Sequence, residues 1–216
     1  MPTVSNAFAV APDLARIVRA AVLWWDEATV TEGAEALATV LTEAEQKVRL
    51  LPPDEPAAVR GMYKRLGLDP TKIRPSNEAL LRRIRKGGTL PRVNSMVDVV
   101  NWCSVELQLP YGLYDRGRMH GAVTMRLGRE GEEYAGIRKD VVHVAGRLIV
   151  ADEDGPFGNP TSDSARTMVT TLTRDALVVV YAPAETPAPR LARVLDLTAE
   201  RLGLACGGRE SARWQA

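Results

Sequence analysis

The 216 residues carry 28 lysines and arginines against 27 aspartates and glutamates, and a formal charge of +1 leaves no global field to gather nucleic acid. Hydrophobic residues make up 45% and charged residues 25%, which excludes a disordered chain. The length allows one well-buried domain, here taken as residues 1–216, and is short for two.

With aromatics at 5%, the core must be built mainly from Val, Leu, Ala and Ile. The two cysteines, Cys103 and Cys206, sit in no CxxC and in no spacing with histidine. A disulfide framework and a zinc site are therefore not expected, and a reducing compartment fits. With no P-loop, HExxH or dinucleotide fingerprint in the sequence, no metal and no cofactor is expected either. The apolar residues from Phe8 to Trp25 are interrupted by Pro12, Asp13, Arg16 and Arg19, so they make neither a signal peptide nor a membrane span. A soluble, cytoplasmic protein with no membrane partner is expected.

In chain order, β-branched residues predict a strand from about Arg16 through Leu23. Thr31 to Leu50 reads as a helix, with Leu37, Val40, Leu41, Ala44 and Val48 at helical spacing, stopped by Leu51-Pro52-Pro53. Glu55 to Leu66 is a second helix. Ser76 to Lys86 is a third, with Ser76 as its cap and Gly87-Gly88 as its stop. Val93 to Leu107 is a fourth, with Val93, Met96, Val97, Val100 and Leu107 on one face and a polar stripe of Asn94, Asp98 and Asn101. Pro110 and Gly112 mark a turn. Beyond them the period changes. Ala122–Leu127, Val141–Val144, Leu148–Ala151, Thr167–Thr171 and Ala176–Ala182 read as strands. A proline-rich connector, Pro183 to Pro189, leads to a terminal helix over 190–204. Helices first and strands after point to an α+β fold.

Charge is polarised along the chain. Between Arg60 and Arg92 lie ten basic residues and two acids, Asp69 and Glu78. Lys72, Arg74, Arg82, Arg83, Arg85 and Lys86 are candidate contacts to an RNA backbone, which cations of this density bind without regard to sequence. A solvated helix face with dipole compensation would produce the same pattern.

A series of short motifs resembles a known family. Tyr63-Lys64-Arg65-Leu66-Gly67-Leu68-Asp69-Pro70 with the run to Arg83, Leu90-Pro91-Arg92-Val93-Asn94 with the run to Asn101, and Leu109-Pro110-Tyr111-Gly112 follow one another in order. Leu148-Ile149-Val150-Ala151-Asp152 and Asp163-Ser164-Ala165-Arg166-Thr167 complete the set, which is strongest over 63–182. It resembles the B3/B4 domain, the tRNA-binding and editing domain of the phenylalanyl-tRNA synthetase beta subunit. The resemblance implies a β-sandwich-like sheet system flanked by helices. It also implies a tRNA or aminoacyl-tRNA partner rather than DNA, and hydrolysis of mischarged aminoacyl-tRNA. Asn101 matches a polar position lining the synthetase's editing pocket. Where the synthetase carries a pocket histidine after its Leu-Pro turn, this chain has Gly112, and the synthetase's pocket glutamate has no match.

Asn101, Asp163, Ser164, Arg166 and Thr167 are therefore the candidate catalytic residues. Asp163 could take an α-ammonium, Ser164 or Thr167 could place water or the ester carbonyl, and Arg166 could hold a phosphate or an oxyanion. A turn entering a strand would use the same residues in local backbone bonds. A non-catalytic RNA-binding module, or an amino-acid-binding relative without RNA, stays open beside the deacylase.

Overall fold

The computed structural model describes residues 6–33, 35–52, 56–137 and 139–216. The expected helix start at Glu55, and Pro53, lie outside them. Among the described residues, five α-helices and ten strands follow one another in an α+β order.

The central sheet runs β10 (Arg209–Gln215), β2 (Val18–Asp26), β9 (Ala176–Pro183), β3 (Tyr111–Asp115), antiparallel throughout. All eight residues of β9 are buried, and β2 is nearly so. A continuous apolar run covered on both faces makes such strands. β10 instead alternates exposed and half-buried positions, as suits an edge. The second sheet runs β1 (Phe8–Val10), β4 (Val123–Leu127), β7 (Leu148–Asp152), β8 (Gly155–Gly158), with β1 parallel to β4 and the other pairs antiparallel.

Val123, Met125, Leu148, Val150 and Phe157 of the second sheet share one apolar core with β2, β3 and β9. Ile149 and Ala151 face the other way, onto Tyr134 and Val142 of the hairpin β5 (Glu133–Gly136) and β6 (Lys139–His143). The period of two along β7 thus divides one strand between two cores. Trp24 and Trp25 are buried in β2, and the Trp25 indole donates to the Gly207 carbonyl at 2.9 Å.

The helices are α1 (Ala38–Arg49), α2 (Ala57–Arg65), α3 (Ser76–Arg85), α4 (Ser95–Leu107) and α5 (Ala188–Cys206). Leu191, Val194, Leu195, Thr198 and Leu202 form the buried stripe of α5, which packs on α4 and β2. Cys103 and Cys206 are free and buried. Among the described residues no helix is long and apolar enough to cross a membrane.

Several boundaries differ from the sequence reading. α1 starts later than Thr31 because Thr31 is tied to α4, its amide donating to Ser95 Oγ and its carbonyl accepting from the Ser95 amide. Gly33 then turns the chain at φ +71°. Ser76 does not cap α3. It is the first helical residue, Pro75 stands at the cap position, and Ser76 Oγ has no partner among the described residues. The polar stripe of α4 is not a solvated face. Asn94 is buried and caps the helix by accepting from the Val97 amide, and Asp98 is buried and accepts from the Val93 amide at 2.8 Å. The segment read as a turn after Pro110 is strand β3, and Thr167–Thr171 is not a strand. Strand-like spacing there reflects burial of Thr167 and Val169 in an irregular loop whose Thr167 carbonyl accepts from the Asp115 amide. β1, β5, β8 and β10 had no counterpart in the sequence reading.

Candidate functional site

One stripe of α4 carries Val97, Val100, Asn101 and Ser104, residues three and four apart and so on one side of the helix. Facing it are Tyr111 and Leu113 of β3. The loop after β8 closes the end with Asp163, Met168 and Val169, and Ile137 and Ser76 complete the wall. Together they enclose a cavity of about 320 Å³. Its walls are mostly apolar, with a few convergent polar groups, the usual build of a small-molecule site.

Asn101 is half-buried, so its amide can serve a ligand. Asp163 is also half-buried. Its carbonyl accepts from the Ile137 amide and its backbone bridges Gly158, while Oδ1 is sealed from solvent without a hydrogen-bond partner among the described residues. Burial pushes the Asp163 carboxyl up to about 7, and the neighbouring Tyr114 hydroxyl partly offsets the shift. A carboxyl poised near neutrality with an unanswered oxygen is a functional-site signal.

Beneath Asp163 lies a buried pair of phenols. Tyr114 and Tyr181 share a hydrogen bond of 2.9 Å, and Tyr114 meets Phe157 edge-on with ring centroids 4.8 Å apart. Burial pushes both hydroxyls well above the ordinary tyrosine range. The Tyr114 ring lies over two glycines. A Cβ on Gly112 would sit 2.1 Å from its hydroxyl oxygen, and one on Gly158 would sit 2.3 Å from it. Alternation along β3 sends Tyr111 and Leu113 into the cavity wall and Tyr114 into the space between the sheets. Gly112 shares the Tyr114 side. A histidine at 112 would therefore collide with Tyr114 rather than line the cavity.

The remaining residues of the 163–167 cluster point elsewhere. Arg166 makes a bidentate pair with Asp152 at 2.8 and 2.9 Å, reaches Asp154 at 3.5 Å and lies over the Phe157 ring. Ser164 is buried and accepts from the Arg166 amide at 3.1 Å. Thr167 is fully buried, with its hydroxyl 3.5 Å from the Phe157 carbonyl. The structure brings Asn101 and Asp163 into one cavity and leaves Ser164, Arg166 and Thr167 outside it. His120 pairs with Asp154 at 2.5 Å, and His143 with Glu133 at 2.9 Å.

A lip that the sequence reading missed borders the cavity. Ser76, Tyr111, Ile137 and Asp163 also line a second cleft, of about 220 Å³, whose far wall is Asn159 to Ser162. Asn159 is buried and holds this wall by accepting from the amides of Thr161 and Ser162 at 2.8 and 2.9 Å. Its own amide donates to Tyr134 Oη, which in turn donates to the Ser162 carbonyl. Tyr63 fixes the lip from outside through Thr161 Oγ1 at 3.2 Å. The sequence signal for this lip was Gly158-Asn159-Pro160, a turn tripeptide.

The basic residues fall into two sets. Arg60 chelates Glu78 at 2.8 and 2.9 Å, and Arg74 joins it at 3.3 Å. Arg83 donates to the Thr89 carbonyl at 2.6 Å, and Arg85 to the carbonyls of Leu51 and Pro52. These arginines hold the fold together. Lys64, Arg82 and Lys86 are exposed and make no ion pair among the described residues; with Arg60 and Arg85 they line a groove of about 570 Å³ between α2 and α3. Lys72 is exposed and stands away from this groove, beside the lip.

A family model described as the B3/4 domain matches residues 58–201. The phenylalanine–tRNA ligase beta subunit of Streptomyces avermitilis is 34% identical over 95 residues, covering 43% of this chain and 11% of that protein. Its counterpart in Brucella abortus is 29% identical over 83 residues, covering 38% and 10%. The chain thus spans about a tenth of the curated relatives it matches. Among solved structures, an N-terminal fragment of the phenylalanyl-tRNA synthetase beta subunit from Pyrococcus horikoshii aligns with all of this chain and 56% of its own, at 13% identity and a TM-score of 0.47.

Proposed function

This chain belongs to the B3/4 domain family, and on that premise we propose that it binds tRNA and hydrolyses the ester of a mischarged aminoacyl-tRNA. The observation that carries the reading is the cavity that joins Asn101 and Asp163. An aminoacyl ester is already activated, so the protein need only hold it, place a water and answer the charge that develops. Asp163, on the wall shared by the cavity and the cleft, takes the α-ammonium. Asn101 donates to the ester carbonyl as it becomes an oxyanion. Water adds to that carbon, the acyl C–O bond breaks, and the ribose oxygen leaves with a proton. The apolar walls receive the amino-acid side chain. Lys64, Arg82 and Lys86 take backbone phosphates of the same RNA, and such a partner places the protein in the cytoplasm.

Incubating the purified protein with a panel of correctly charged and mischarged tRNAs tests the reading. Loss of ester above the spontaneous rate is expected for at least one pairing. Asn101→Ala should lower that rate by about 10²–10³, the usual cost of one oxyanion donor. If no pairing loses ester, hydrolysis is refuted.

A second reading, binding without catalysis, has its own support. Ser164, Arg166 and Thr167 are engaged in local bonds, and no histidine is among the residues lining the cavity. It predicts salt-sensitive tRNA affinity without turnover.

A further inference from the structure

The Thr161–Ser162 lip has two sides. One faces the cleft that leads to Asp163. The other lines a separate depression of about 290 Å³ that also holds Lys72, Arg147 and His143. Arg147 lies far outside the 60–92 basic cluster in sequence. It is half-buried and makes no ion pair among the described residues. Lys72 is exposed and likewise makes none. Of the described acids nearby, Glu133 is paired with His143 at 2.9 Å, and Asp69 accepts from the amide and hydroxyl of Thr71.

Arg147, partly withdrawn from water and without a carboxylate partner among the described residues, shares the depression with a lysine. The lip between them and the cavity is rigid, fixed by Asn159, Tyr134 and Tyr63. A ligand crossing it would meet a carboxylate and apolar walls on one side and two cations on the other.

We propose that Lys72 and Arg147 form an anion subsite for a phosphate of the molecule whose aminoacyl end lies beside Asp163. The ligand class is an aminoacyl ester of a phosphorylated nucleoside, laid across the Thr161–Ser162 lip. This rests on the aminoacyl-tRNA reading above, and it narrows it. The groove between α2 and α3 serves distant phosphates of a long RNA, whereas this subsite serves the phosphate next to the reacting nucleoside. A guanidinium can hold such a phosphate through two parallel N–H donors.

The test uses hydrolysis-resistant 3′-aminoacylamino-3′-deoxyadenosines bearing leucyl or phenylalanyl groups, each with and without a 5′-phosphate. Calorimetric titration of the full chain should show the phosphate raising affinity about tenfold or more. Lys72→Ala/Arg147→Ala should bring the two forms within about twofold of each other, while Arg82→Ala keeps the advantage. Lys72→Arg/Arg147→Lys should restore most of it. Equal binding of both forms to the unaltered protein overturns the subsite and leaves the aminoacyl pocket standing. If neither form binds, the aminoacyl pocket falls, and the subsite is judged by inorganic pyrophosphate alone. Saturable binding lost in Lys72→Ala/Arg147→Ala then sustains it as an anion site, and its absence overturns it.

Discussion

Asp163 combines two properties that oppose one another. Its carboxyl is desolvated and raised to about 7, whereas in the unfolded chain it titrates near the ordinary aspartate value. Between those two values the folded state binds more protons than the unfolded one, so this group makes stability fall as pH rises through that window. Asp163→Asn removes the term. It should raise the melting temperature at pH 8, by an amount equivalent to about 1–3 kcal/mol, and change it little at pH 4. The same substitution should abolish binding of an amine-bearing ligand. Thermal scans at both pH values beside a ligand titration check the pair of effects, and a loss of stability at pH 8 would refute the assignment. Gly112 makes the complementary case. Gly112→Ala forces a methyl against the Tyr114 ring, with contacts at 2.1 to 2.8 Å, and should cost about 3 kcal/mol in urea denaturation. Gly61, inside α2 with nothing near its missing Cβ, should respond in the opposite sense. Gly61→Ala should stabilise by about 0.5–1 kcal/mol.

At the level of elements, legibility followed chemistry. The stripes of α3, α4 and α5 were readable because apolar residues recur every three or four positions, and β9 because an eight-residue apolar run has few other uses. β3 was hidden by Pro110 and Gly112, which read as a turn. Gly112 is there to admit a ring from its own strand, a requirement set by packing between sheets. β10 was hidden because Arg209-Glu210-Ser211-Ala212-Arg213 has the composition of a tail, although Trp214 packs on Phe8 with ring centroids 5.0 Å apart. The 163–167 cluster could be picked out as a unit, but its members could not be sorted, because a tight loop sends Arg166 to Asp152 and Asp163 to the cavity. The α3 arginines read as one surface, and all three are exposed, yet Arg83 and Arg85 donate to backbone carbonyls of neighbouring loops. Lys64→Ala/Arg82→Ala/Lys86→Ala should therefore weaken tRNA binding and reduce the slope of log affinity against log salt by about 2–3. Arg60→Ala should act mainly on stability, since it strips Glu78 of its bidentate partner. Filter binding across a salt series separates the two classes.

Across the whole molecule, a cavity between α4 and β3 and a cationic groove are carried by elements that share one core, and the lip is tied to a second through Tyr134. The sequence made the family and the polarity of charge readable, since both lie in ordered local motifs. It could not disclose the cavity, which joins residues from position 76 to 169 that only the fold brings together. The tyrosines extend this to a property of the entire chain. All five of them, Tyr63, Tyr111, Tyr114, Tyr134 and Tyr181, have hydroxyls raised by burial. The folded protein should thus be optically silent at 295 nm as alkali is added past pH 10, where exposed phenols ionise. Their protons are held in the folded state and released on unfolding, so stability drains away above that pH. Absorbance should then rise in a single cooperative step as five phenolates appear together, which makes base titration a direct optical report on the integrity of the wall behind the cavity.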